Sequence, residues 1–220
     1  MLAKQLLEFK NLDLKSIRQP DLHALAEFLP QGELTAEYAR YLSRYRQVTD
    51  REEREAMDLL FSGAEQAKDT LLLYYLPLVV EIAMCCSIEV PCLLDRVETG
   101  NQALQDVMEK GEAGTPEEVL ALIHRRIFMF VLARHGISIE GGCSPEKYLE
   151  DLSYEMTERE MSILKRLCGA ADFLEELLLT AMDYSVSPRR IAQVWNKAHR
   201  IIRRAQRKGL HTLEEFTGNL

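Results

Sequence analysis

At 220 residues, 47% of them hydrophobic and 28% charged, the chain is long and apolar enough for one large or two small domains, which excludes a disordered polypeptide. Its formal net charge is −8, yet the stretch from Ser185 to Leu213 holds eight Lys or Arg and no Asp or Glu, so the remainder carries −16. Such asymmetry fits a protein that offers one end to nucleic acid and the rest to basic or mixed protein surfaces.

In chain order, hydrophobic periodicity predicts helices throughout. Leucines from Leu2 to Leu29 recur at helical spacing and are broken at Pro20 and Pro30, giving short helices. Thr35 opens a longer segment through Tyr38, Tyr41, Leu42 and Tyr45, and Glu52 to Phe61 extends or follows it before Gly63. Ala64 to Cys86 is mostly apolar and is predicted at the centre of a bundle. Its run from Leu71 to Cys86, interrupted by Pro77 and Glu81, is too short and too mixed to span a bilayer, and no signal peptide opens the chain. Pro91 to Lys110 gives another helix, Gly111 to Pro116 a loop, and Pro116 to about Arg134 a further helix. His135 to Pro145 holds three glycines and a proline in eleven residues and reads as a linker. Beyond it, Thr157 with Glu160 forms a capping box, Phe173 to Tyr184 is amphipathic, and a short link leads to the basic helix.

Cysteine usage and histidine placement narrow the chemistry. Cys85, Cys86, Cys92, Cys143 and Cys168 are odd in number with no paired C-x-x-C, which indicates a reduced, cytoplasmic compartment. The first three lack a fourth metal ligand and read as core, so no metal or cofactor is expected. His124 and His199 sit beside arginines and read as polar-surface or nucleic-acid contacts. There is no phosphate-cradling glycine loop, no H-E-x-x-H, and no nucleophile with its base; Ser162 and Lys165 match S-x-x-K only formally. An enzyme is not expected.

The basic helix carries the strongest functional signal. Ser187 can cap it and Pro188 fits its first position. At 100° per residue, Ile191, Val194, Ala198, Ile201, Ile202 and Ala205 share one side, and Arg189, Gln193, Asn196, Lys197, Arg200, Arg204 and Arg207 the other. A solvated face would mix both signs to gain i,i+4 pairs, and a membrane or calmodulin-type helix would carry large apolar residues where two alanines stand. Nucleic acid is favoured over both of these readings, and the short link after Tyr184 suggests a helix-turn-helix whose second helix would enter the major groove. Arg189, Arg190 and Gln193 would reach base edges, while Arg200, Arg203, Arg204 and Arg207 would mostly meet phosphates; Asn196 and Lys197 share the DNA-facing side.

Several stretches resemble one family. Gly63 to Ala83, GAEQAKDTLLLYYLPLVVEIA, is similar without a gap to the G-D-x-x-A-x-x-x-L-I-x-x-N-L-R-L-V-V-x-I-A run of sigma-70 family RNA polymerase initiation factors. Leu94 to Asn101, LDRVETGN, stands where that family has L-D-L-I-Q-E-G-N, and Val107 to Lys110 where it has A-V-E-K. Leu34 to Glu37 resembles the L-L-T-x-E-E that opens the family's core, Met156 to Glu160 its L-T-x-R-E, Tyr184 to Ser187 its F-G-V-S, and Arg190 to Val194 its R-V-R-Q-I. The resemblance implies an all-α fold: an N-terminal helical bundle like sigma region 2, linked to a small C-terminal helix-turn-helix domain like sigma region 4. It divides the chain into a helical extension (1–33), a polymerase-binding domain (34–134), a linker (135–147) and a DNA-binding domain (148–220). It further implies core RNA polymerase, held through Asp95, Glu98, Thr99 and Asn101, and double-stranded promoter DNA as partners. The resemblance leaves open whether an anti-sigma or activator protein is a further partner, and no membrane is expected.

The chain departs from the family at informative places. Where the family carries aromatics that stack on the opened promoter strand, this chain reads TPEEVLAL from Thr115 to Leu122. Stacking is worth roughly 1–3 kcal/mol per base, so promoter opening should suffer. Pro188 and Ala192 stand in place of base-reading arginines, and efficient opening would require that Phe128, Phe130 or another group has taken over the stacking. Two functions follow: a divergent initiation factor, or a sigma-like adaptor or regulator that holds polymerase or DNA without opening promoters.

Overall fold

The computed structural model describes residues 1–18, 49–62, 64–86, 93–110, 113–141 and 144–207. The helix expected from Thr35, the breaks at Pro20 and Pro30, the match at Leu34 to Glu37 and the helix start at Pro91 lie outside them. The described residues are all-α: nine α-helices, two 3-10 turns and no strand. They are α1 (Leu2–Lys10), α2 (Asp50–Phe61), α3 (Glu65–Met84), α4 (Leu93–Lys110), α5 (Pro116–Arg134), α6 (Leu149–Leu152), α7 (Glu158–Cys168), α8 (Phe173–Asp183) and α9 (Pro188–Arg207). The chain divides into two compact units, one of Phe9–Arg134 and one of Met1–Glu8 with His135–Leu220.

In the unit Phe9–Arg134, α3 packs on α2, α4 and α5, as its apolar composition predicts. Tyr75, Leu78, Val79, Val80, Ile82 and Ala83 are all buried on it. Helix α2 starts on a capping box, in which Thr49 and Glu52 satisfy one another's backbone amides. Its Glu53 is buried and accepts from the Tyr75 hydroxyl at 2.5 Å, so this core carboxylate has a donor. Gly100 lets α4 lie close to its neighbours: a methyl group there would stand 2.5 Å from Val79 Cγ1 and 3.0 Å from Ile127 Cδ1. Thr115 and Glu118 start α5 by a reciprocal cap, the Glu118 carboxylate accepting from the amides of Gly114 and Thr115. The stretch Thr115 to Leu122 therefore supplies a helix start.

In the unit holding His135–Leu220, α7, α8 and α9 pack mutually around Leu164, Leu167, Leu177, Ile191, Ala198 and Ile202. Thr157 and Glu160 form the expected capping box at α7. Arg166 of α7 ties to Glu176 and Asp183 of α8, which fixes the two helices against each other at the surface. The connection from α8 to α9 is a Schellman turn. Val186 N–H donates to Ala181 O at 2.9 Å and Ser185 N–H to Met182 O at 3.0 Å. Ser185 takes φ 52, the left-handed position usually given to glycine, and Ser187 Oγ then accepts from Arg190 N to start α9 behind Pro188.

Candidate nucleic-acid interface

Helix α9 has three sides. The first, Ile191, Val194, Ala198, Ile201, Ile202 and Ala205, is buried as the periodicity predicts. The second is covered by the strap 136–141, which lies within the segment expected to be a linker. Asn196 uses its side-chain amide as a peptide unit would, accepting from Glu140 N at 2.9 Å and donating to Ser138 O at 2.7 Å. Trp195 Nε1 donates to Glu140 O at 2.8 Å, and Arg203 Nη2 lies 2.6 Å from Glu140 Oε2. The strap begins at Gly136, whose φ of 67 and closeness to the Arg189 side chain leave no room for a Cβ. The third side carries exposed Arg190, Gln193, Arg200, Arg204 and Arg207, spaced three and four apart with Lys197 among them.

Carboxylates already meet part of this cationic side. Lys197 Nζ lies 2.7 Å from Glu160 Oε2, and Arg204 Nη2 lies 2.7 Å from Glu155 Oε1. Burial opposes ionisation of Glu160, but hydrogen bonds from Lys197 and from the Thr157 cap outweigh it and hold the carboxyl below its usual range. Among the described residues, Arg189, Arg190, Arg200 and Arg207 have no carboxylate partner; Arg190 reaches Gln193 Oε1 at 3.3 Å and Arg200 the Asn196 carbonyl at 3.4 Å. A groove of about 390 Å³ runs along α9 between the strap and the start of α7, lined by Arg190, Gln193, Lys197 and Arg200 together with Glu140 and Glu160. Of the nine residues expected to meet DNA, Arg189, Arg190, Gln193, Arg200 and Arg207 are open to solvent. Asn196, Lys197, Arg203 and Arg204 have partners within the fold.

Three expectations change. His199 is 0% exposed and His124 is 8% exposed, so neither is a surface contact. Burial lowers the basicity of both, and His124 Nε2–H donates to Phe9 O at 2.7 Å between the Phe9 and Phe128 rings. Their neighbouring arginines point out while the imidazoles point in, a one-residue rotation on a helix. Ala192 is 1% exposed and Pro188 is also buried, so these positions face the protein and an arginine there would not reach a base. Cys85 is exposed rather than core. Burial, then Glu81, pushes its thiol up, and burial lifts Cys168 to about 11, so neither is a thiolate nucleophile at neutral pH.

The four residues expected to hold polymerase sit on α4 in different settings. Glu98 is exposed, Asp95 Oδ2 lies 3.6 Å from Arg134 Nη2, and Thr99 Oγ1 donates to the Asp95 carbonyl. Asn101 turns instead into a groove of about 450 Å³ lined by Leu72, Leu73, Leu76 and Leu104, where its Oδ1 is buried without a partner. No described helix is long and apolar enough to cross a membrane, and no described cluster of three His, Cys, Asp or Glu could hold a metal ion. Comparison with known protein families, characterised proteins and solved structures gives no match for this chain.

Proposed function

We propose that the chain is a divergent sigma-like transcription initiation factor that grips duplex DNA with α9 and core RNA polymerase with the exposed side of α4. The observation that carries this reading is the cationic side of α9, held outward behind a tight turn from α8. Such a helix can enter a major groove, with Arg190 and Gln193 near its start reaching base edges. Arg200 and Arg207 further along would meet phosphates. The burial of His199 supports it, since an imidazole in the core leaves the outward side to arginine, lysine and glutamine. Glu98, with Asp95 one turn before it, is the acidic surface that a basic element of the polymerase would meet. The test is twofold: binding of the full chain to promoter-containing duplex DNA across a salt series, and co-purification with core RNA polymerase. Loss of both readouts removes the proposal.

A second reading, an adaptor that holds DNA or polymerase without opening promoters, is favoured by one observation. Phe128 is 3% exposed and packed against His124 and Phe9, and Phe130 has the Arg134 guanidinium 5.1 Å from its ring centroid. Phe128 is thus enclosed in the fold, where unpaired bases do not reach it, and the half-exposed face of Phe130 is shared with Arg134. Initiation on a pre-melted bubble but not on linear duplex separates the two readings.

A further inference from the structure

The strap 136–141 decides which side of α9 a duplex can approach. Its seat is specific rather than incidental: both polar groups of the Asn196 side chain and the Trp195 indole N–H are spent on strap backbone at 2.7 to 2.9 Å. These bonds satisfy peptide groups of an extended segment that has no sheet partner, so the strap loses hydrogen bonds if it leaves. Once seated, it carries Glu140 to Arg203 and into the wall of the groove that also holds Arg190, Lys197 and Arg200. A phosphate entering from that side meets a carboxylate fixed in place.

We propose that the strap is a permanent cover whose Glu140 stands where a phosphate would otherwise bind, closing the Asn196–Arg203 side of α9. The duplex is confined to the stripe running from Arg190 through Gln193, Arg200 and Arg207. This rests on the reading of α9 as a DNA-binding helix and assigns its docking side. Asn196 is then a positioning residue that holds the strap, and it touches no base.

The experiment uses the full chain, a mixed-sequence duplex followed by anisotropy over a salt series, and the emission of Trp195, the only tryptophan of the chain. Glu140→Gln keeps the backbone seat and frees Arg203, so the slope of log K against log salt should steepen by about 0.9, the value of one added phosphate contact. Asn196→Ala removes the seat; it should shift Trp195 emission to the red without DNA and bind the duplex more tightly than the wild type. Wild-type emission should stay in place at saturating DNA. An emission shift on DNA binding, to the position of free Asn196→Ala, shows that the strap leaves and overturns the inference. So does an unchanged slope in Glu140→Gln, a readout that survives even where Asn196→Ala fails to fold. If wild type and both variants all fail to bind duplex at any salt, the DNA reading of α9 falls, and this inference with it.

Discussion

Two arginines one turn apart on α9 offer the sharpest separation of free from committed charge. Arg200 has no carboxylate partner among the described residues, whereas Arg204 is held by both oxygens of Glu155. Each phosphate neutralised on duplex DNA contributes about −0.9 to the salt slope. With Arg200 and Arg207 as the free phosphate contacts, the wild-type slope should be about −1.8, a loss of roughly 12-fold between about 50 and 200 mM salt. Were Lys197, Arg203 and Arg204 to join them, the slope would be about −4.5 and the loss roughly 500-fold, a difference any titration resolves. Arg200→Ala should flatten the wild-type slope by about 0.9, and Arg204→Ala should leave it close to the wild-type value. The measurement is anisotropy of a labelled duplex with the full chain, with helicity checked for each variant. Equal flattening by the two substitutions would refute the reasoning, because it would mean that DNA phosphates displace Glu155 as readily as they meet a free arginine.

Three further outcomes are expected. Gly100→Ala should destabilise the helical unit by about 1–3 kcal/mol in denaturant melts, since the overlap with Val79 outweighs the gain in helix propensity. Burial lifts the Glu81 carboxyl from 4.5 to about 7, so the folded state holds a proton that the unfolded chain has lost. Its contribution is full below about 4.5 and disappears as pH rises through about 7, and Glu81→Gln should flatten that stretch of the melting temperature against pH. Glu98→Arg should abolish co-purification with core polymerase while leaving the melting temperature unchanged, because Glu98 is exposed; retained binding would remove the polymerase contact from α4.

Much of the fold was legible because its signals are local. The capping box of Thr157 and Glu160, the Pro188 start of α9 and the apolar excess of α3 each act within a few residues, and each stands where the sequence puts it. The capping pair Thr49 and Glu52 has the same pattern and fixes where α2 begins. His199 shows the limit of a neighbour-based reading: beside Arg200 it looks polar, yet one residue on a helix is a turn of 100° into the core. Ala192 shows the same limit from the other direction. It was compared with an arginine by register, while its small side chain is buried against the protein.

The strap was illegible for a different reason. Three glycines and a proline between 135 and 145 give the composition of a flexible connection, and nothing within those residues marks a docking partner. The partner is Trp195 and Asn196, some 55 residues on, and the recognition lies in hydrogen bonds to backbone, which leave no pattern in side-chain identity. Glycine also serves such a segment, since φ of 67 at Gly136 lets the chain turn onto the helix beside Arg189. The acidic excess outside α9 takes on a specific meaning here. Glu140, Glu155 and Glu160, from the strap, the turn before α7 and the first turn of α7, converge on three of the cations of one helix. A helix that is uniformly basic in sequence is thereby graded in space, with its free charge concentrated at Arg189, Arg190, Arg200 and Arg207.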